Sequence, residues 1–216
     1  MKKLMLIFLL LGTIACDKED ENEYANMNLN CIEKVTTSAW VSTLTSNDRQ
    51  RIDLLFTNNG IVVNHFEPYE FIPDSLGYSH IKGFQYVNSL RVFTNNLIYH
   101  FNKEDQYYSL SGDLINEVYI NSEAKSSLSS MENSYGKALA ADSFLTNELV
   151  RNLANECFTA ELGYYNLNAG RGYAPENFVL AWLVKPVNKE YPFAYINDNN
   201  QEVIYYDNGL RFMQGN

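Results

Sequence analysis

The side chains best suited to nucleophilic or metal chemistry near neutral pH are three cysteines, Cys16, Cys31 and Cys157, and three histidines, His65, His80 and His100. A zinc peptidase needs two histidines four residues apart on one helix face with a glutamate as base, and no His-Glu-x-x-His occurs. No histidine has another His, Cys or carboxylate at i, i+3 or i+4 on a predicted helix. A three-histidine site assembled across strands stays open beside ordinary sheet histidines, and the residues favour the second. Cys157 with a histidine could imitate a thiol-protease dyad. It falls in a stretch predicted as helix without signature neighbours, so burial is expected. Gly170-Arg171-Gly172 is a glycine-containing loop with no strand–helix junction after it, hence no phosphate cradle. Glu19 and Asp20 lie where no pocket can tune a carboxylate. The expectation is a chain with no catalytic residue, no metal ligand and no cofactor. Tyr164-Tyr165 and Tyr205-Tyr206 could line a carbohydrate or peptide surface. Neighbours in a strand face opposite ways, so one of each pair is expected in the core.

The elements that must position these groups begin after a processed N-terminus. Residues 1–15 hold a short cationic segment, Met1-Lys2-Lys3, and an unbroken apolar run from Leu4 to Leu11. This is the pattern of a signal peptide. The run is about half the ~20 residues that a spanning helix needs. Gly12-Thr13-Ile14-Ala15 leads into Cys16, and this arrangement resembles a bacterial lipobox. The resemblance implies diacylglycerol on the Cys16 sulfur and an acyl chain on its nitrogen, which together anchor stably. Acids follow at once, Asp17, Glu19, Asp20, Glu21 and Glu23. Residues 16–32 read as an acidic tether, since clustered like charges stay extended. Cys16-Asp17-Lys18-Glu19-Asp20-Glu21 also resembles the acidic tags that send Bacteroidetes-type lipoproteins to the outer cell surface. The implied location is the cell envelope, at the outer membrane and surface-exposed.

Charge excludes whole classes of partner. Lys and Arg number 16 against 26 Asp and Glu, a net charge of −10. Removing residues 1–15 takes away Lys2 and Lys3 and no acid. Such a chain does not bind nucleic acid by counterion release, nor an anionic bilayer by electrostatics. Its membrane contact must come from the lipid. Cys31 and Cys157 remain after Cys16, in a compartment that permits disulfides. A bridge between them and two separately buried thiols both stay open.

Tyr (16) and Phe (12) are abundant while Pro (5) is sparse, which favours sheet-rich packing. Ser46-Asn47-Asp48-Arg49-Gln50-Arg51 opens a helix with Ser46 as N-cap. Ile52, Leu55 and Phe56 share its apolar face, and Asn58-Asn59-Gly60 ends it. Ile61 to Ile72 is extended and broken by Pro68. Alternation from Leu90 to Phe101 predicts a hairpin turning at Asn95-Asn96. Lys103-Glu104-Asp105 turns the chain back through Tyr108 and Leu110. The polar seam Ser126 to Asn133 is the expected domain boundary. A helix capped by Ser134 follows, carrying Ala138, Leu139, Ala141 and Leu145, with helical spacing through Leu149 and Leu153. Strands are predicted at Phe178 to Val184, Phe193 to Ile196 and Val203 to Tyr206, with Asp198-Asn199-Asn200-Gln201 as a turn. Each half reads as one helix followed by an antiparallel meander.

Tyr78-Ser79-His80-Ile81-Lys82-Gly83-Phe84-Gln85-Tyr86-Val87-Asn88-Ser89-Leu90-Arg91-Val92-Phe93 resembles the core of the fungalysin/thermolysin propeptide (FTP) motif. The resemblance runs on through Leu97-Ile98-Tyr99-His100-Phe101 to Ser109 and Gly112. Leu180-Ala181-Trp182-Leu183-Val184, Ala194-Tyr195-Ile196-Asn197 and Glu202-Val203-Ile204 look like a PepSY domain. The two occur in the order found in thermolysin-type precursors. Ser89 stands where the family usually has Gly, and no peptidase follows. The resemblance implies an α+β fold of two cystatin-like units, each an antiparallel sheet packed on one helix. The FTP-like domain would span residues 33–126 and the PepSY-like domain residues 127–216. It also implies a non-catalytic lipoprotein that inhibits a secreted peptidase or assists its folding in trans. The alternative is a surface-binding or structural lipoprotein with no peptidase connection, favoured by the short tail from Leu210 to Asn216.

In detergent phase partitioning, the wild-type chain is expected in the detergent phase and Cys16→Ser in the aqueous phase. Mass analysis of the wild-type N-terminal peptide should show the acyl chains on Cys16.

Overall fold

A computed structural model describes residues 31–36, 42–62, 65–171, 174–187 and 189–210. The signal segment 1–15, Cys16 and the tether through residue 30 lie outside the described residues, as do Gly172 and residues 211–216. The architecture is mixed α and β. Among the described residues the order is β1 (Cys31–Val35), α1 (Ser46–Asn58), β2 (Phe66–Pro73), β3 (Ser79–Val87), β4 (Leu90–Phe101), β5 (Tyr107–Ser111), α2 (Leu128–Ala141), α3 (Asn147–Ala154), β6 (Cys157–Asn166), β7 (Phe178–Pro186), β8 (Phe193–Asn197) and β9 (Val203–Asp207). No helix among them is long and apolar enough to cross a membrane.

The helix caps sit earlier than the sequence predicts. Thr45, not Ser46, caps α1. Its side chain accepts from Asp48 N–H, and the Asp48 carboxylate accepts from Thr45 N–H at 2.8 Å, closing a capping box. Ser127, not Ser134, caps α2, so the polar seam forms the first turns of that helix. Ser134 instead donates to the Gln201 carbonyl at 2.8 Å, tying α2 to the β8–β9 turn. Helical spacing does continue toward Leu153, but as a separate helix, α3, capped by Thr146.

The strands join into one nine-stranded sheet rather than two separate sheets. Its path is β2-β3-β4-β6-β7-β8-β9, with β5 added to β4 and β1 to β6. The seam between the halves is short. β4 runs parallel to β6 and pairs only through Arg91↔Gly163 and Val92↔Tyr164. Asn166 N–H extends it by donating to Thr94 Oγ1 at 3.2 Å. A Cβ at Gly163 would stand 2.5 Å from the Arg91 carbonyl and 2.6 Å from the Phe93 ring, so only glycine permits this approach.

Two expectations about the first half change. Asn95-Asn96 is not a turn, because β4 runs through it as one strand. The hairpin turn is Asn88-Ser89, with φ of 51° and 63°, the left-handed pair of a type I′ turn. At Asn95 the strand carries extra residues relative to β3, and the register shifts between Phe84 and Tyr86. The Asn95 amide points inward and donates to Gln85 Oε1 at 2.6 Å and to the Asp113 carbonyl. Gln85 in turn clasps the Ile115 backbone, accepting its N–H at 3.2 Å and donating to its carbonyl. These bonds pin the crossover that leads from β5 to α2.

Cys31 and Ile32, expected in the tether, begin strand β1, and β1 pairs in parallel with β6 in the second half of the sheet. Cys157 opens strand β6 rather than lying in a helix, and it is exposed rather than buried. A disulfide joins Cys31 to Cys157 across this pair, with Cα atoms 4.8 Å apart.

Both apolar layers lie on one face of the sheet. Ile52, Leu55 and Phe56 of α1 pack on Phe66, Ile81, Leu97, Tyr99 and Phe101. Met131, Tyr135 and Leu139 of α2 pack on Phe158, Ala160, Leu162, Trp182 and Val184. Ile81 and Val87 are an even number of residues apart on β3 and share a face. Val87 meets Val92 and Tyr164, and Tyr164 shares its face of β6 with Phe158. Helices α1 and α2 therefore cover the same side. Each fully buried side chain of this size contributes about 1.5–3 kcal/mol.

Gly163→Ala is expected to destabilise the chain by about 2 kcal/mol or more, read from the urea midpoint. Replacing Cys31 and Cys157 together by Ser should cost about 2–5 kcal/mol in the same measurement, since the bridge closes a loop of 126 residues.

Candidate functional site

Helix α2 and the last strand flank a groove of about 830 Å³. Its walls include Lys137 and Ala138 of α2, Asp142 and Phe144 of the following loop, and Val203 and Tyr206 of β9. Strand β9 pairs with β8 and, among the described residues, with no other strand. The rim is apolar and open, with Phe144 60% and Leu210 50% exposed. Asn208 Nδ2 donates to Asp142 Oδ2 at 2.8 Å and holds the mouth. Burial, reinforced by the Asp142 carboxylate, pushes the Tyr206 hydroxyl well above the usual phenol range. Tyr206 therefore stays neutral, and its hydroxyl is buried.

The two outer edges of the sheet differ in chemistry. Strand β2 carries Pro68, Pro73, Glu67 and Glu70, and Thr43 N–H bonds the Tyr69 carbonyl at 3.2 Å. Prolines and charges blunt an edge against strand pairing. Strand β9 reads Val-Ile-Tyr-Tyr-Asp, with no proline and no cation. It is the edge on which an extended segment could add.

The opposite face of the sheet, away from the helices, carries aromatic and charged groups. Phe93, Tyr165 and Tyr195 cluster with ring centroids 5.0 Å apart, and Phe193 and Tyr205 continue the row. Burial pushes the Tyr195 hydroxyl up to about 12. Arg91 and Glu161 are buried there together, 3.6 Å apart, and the Arg91 guanidinium lies 3.6 Å over the Phe84 ring. As expected from strand alternation, one member of each tyrosine pair enters the core. Tyr164 is fully buried and Tyr206 packs against the α2 layer, while Tyr165 and Tyr205 face the other way.

Among the histidines, His80 and His100 face each other across β3 and β4. Their Nδ1 atoms are 2.8 Å apart, and His100 Nε2 is 2.8 Å from Ser111 Oγ. His80 Nε2 lies 3.8 Å from Asp74 Oδ2. His65 stands apart at the start of β2, its carbonyl accepting from Tyr86 N–H. A three-histidine centre is thus not assembled. Among the described residues no group of three or more His, Cys, Asp or Glu is placed to hold a metal ion.

Sequence reasoning missed three polar anchors. Asp198, nearly fully buried, accepts from Trp182 Nε1 at 2.8 Å and from the backbone N–H groups of Lys125 and Ser126 at 2.8 and 3.0 Å. Gln85 and Asn95 do the same work at the other end of the crossover. All three sit in stretches that read locally as turn or polar strand residues, and nothing local marks them as buried.

Burial, then the neighbouring His80, lowers the affinity of His100 for a proton. The groups facing this ring are His80, Ser111, Tyr108 and, beyond His80, Asp74. The unfolded chain binds this proton more readily, so stability should fall as pH drops through the ordinary histidine range near 6.5. Urea unfolding between pH 8 and 5.5 should show a smaller loss in His100→Asn than in wild type.

In comparisons with known proteins, the chain matches no family model and no curated protein.

Proposed function

We propose that this chain is a non-catalytic lipoprotein of the cell envelope that resembles a peptidase propeptide, and that it inhibits a secreted peptidase or assists its folding in trans. On this reading the nine-stranded sheet is two cystatin-like units, an FTP-like one and a PepSY-like one, fused at the β4–β6 seam. Acylated Cys16 holds the chain at the outer membrane, and the acidic tag presents it on the cell surface. The single observation that carries the proposal is the open edge of β9 beside the α2 groove. An extended segment of a partner can add to that edge through backbone hydrogen bonds and place alternate side chains in the groove. Helix-plus-meander order in each half, and the motif order from Tyr78 to Ile204, support the propeptide reading.

A second reading rests on the aromatic row from Phe93 through Tyr195 to Tyr205. Such a surface suits a binding lipoprotein with no peptidase connection. Recovery of a non-peptidase ligand from cell-surface extracts, lost in Tyr195→Ala, would select it.

At micromolar concentration the full chain, purified in mild detergent, is expected to slow a secreted thermolysin-like peptidase or to raise its refolding yield. Val203→Lys with Tyr205→Lys, which charges the β9 edge, should weaken the effect about tenfold or more while leaving the urea midpoint close to wild type. Absence of both effects in the wild-type chain would remove the proposal.

A further inference from the structure

The His80–His100 pair has a geometry that an ordinary pair of sheet histidines lacks. The two are direct partners across β3 and β4, and their Nδ1 atoms approach to 2.8 Å. The ring centroids are 4.9 Å apart, close to the nitrogen separation plus the two ring radii. The Nδ1 atoms therefore point at each other. The outer nitrogen of His100 is within hydrogen-bond distance of Ser111 Oγ, and that of His80 has the Asp74 carboxylate 3.8 Å away, too far for a hydrogen bond. An imidazole that ligates a metal commonly donates its other N–H to a carboxylate or hydroxyl, and that contact sets the tautomer. When both Nε2 atoms carry the proton, both Nδ1 lone pairs face inward, and that arrangement requires a cation between them. Without one, a single Nδ1–H is shared between the rings, and when His100 gives it, Ser111 donates to His100 Nε2.

The separation also discriminates between ions. With metal–nitrogen bonds of about 2.0 Å, two ligands at a right angle lie about 2.8 Å apart, and two tetrahedral ligands about 3.3 Å. The observed distance matches the cis positions of a tetragonal ion, which needs the rings to turn but the strands not to part. The pair is reachable from solvent, since the His80 side chain is 25% exposed and Ser111 is exposed. The net charge of −10 favours cations in general.

We infer that His80 and His100 bind one copper(II) ion through their Nδ1 atoms, with water completing a tetragonal site, Ser111 orienting the His100 ring and the Asp74 carboxylate placing negative charge near His80. The inference stands independently of the peptidase reading. Ordinary affinity order places copper(II) above zinc(II) at nitrogen sites, and here the spacing acts in the same direction.

The test uses the full chain without a histidine tag, stripped of metal and titrated with copper(II) alone or zinc(II) alone. One copper(II) per chain is expected, with an electron paramagnetic resonance spectrum showing imidazole nitrogen ligands. His80→Ala and His100→Ala should each weaken binding at least about tenfold, and the double variant should abolish it. His65→Ala should bind as wild type, and zinc(II) should bind more weakly than copper(II). Circular dichroism checks the fold of each variant. In the unmutated chain, copper(II) should also slow modification of His80 and His100 by diethyl pyrocarbonate while leaving His65 reactive. Undiminished binding in the double variant, loss of binding in His65→Ala, tighter binding of zinc(II), or no protection from modification would each overturn the inference.

Discussion

The structure depends on how closely β4 can approach β6. Two meanders, each with its own helix, share one sheet because Arg91↔Gly163 and Val92↔Tyr164 pair in parallel. That contact exists only because Gly163 has no Cβ to meet the Arg91 carbonyl. Everything on either side follows from it. Val92 and Tyr164 carry the apolar layer across the seam, so the α1 layer and the α2 layer become neighbours on one face. On the other face the same pairing brings Arg91 within 3.6 Å of Glu161. A buried pair of this kind is worth little as net stability, but removing one partner leaves a charge in the interior. The seam is therefore more specific than it is strong.

A two-pair seam needs reinforcement, and it comes from polar side chains holding the crossover between β5 and α2. Gln85 clasps the Ile115 backbone, and Asn95 braces Gln85. Asp198 gathers the Trp182 indole and two backbone N–H groups at the far end. Each is a buried polar group whose hydrogen bonds are met, and truncating one leaves its partners desolvated and unpaired. Strand β1 adds a second kind of reinforcement. It lengthens the β6 ladder beyond the reach of β4, and the Cys31–Cys157 bridge ties it there. Strand β1 is thus joined covalently to the second half of the sheet.

The candidate binding surfaces are the parts of the sheet that this arrangement leaves uncovered among the described residues. Because α1 and α2 lie on one face, the other face presents its aromatic row and the His80–His100 pair. Because the sheet grows outward from the seam, its far end is the short strand β9 beside α2. Edges with several prolines and charges, such as β2, resist pairing, and β9 has no proline and a single acid, Asp207, at its end.

Much of the local structure was legible in the residues themselves. The apolar face of α1, the turn at Lys103-Glu104-Asp105 and the strand alternation of β7 to β9 are set by short-range chemistry, namely side-chain spacing, capping and turn preference. Errors of a residue or two at Ser46 and of one helical turn or more at Ser134 arose because several hydroxyls competed for the same cap. What only the tertiary structure decided is register and adjacency. A two-residue turn at Asn88-Ser89 alone would set Leu97 opposite His80. The extra residues in β4 near Asn95 bring His100 there instead, and they are accommodated because Gln85 and the crossover absorb the Asn95 side chain. Likewise the β1–β6 and β4–β6 pairings join segments remote in sequence. Local propensity carries no information about such contacts, which depend on how the two halves pack.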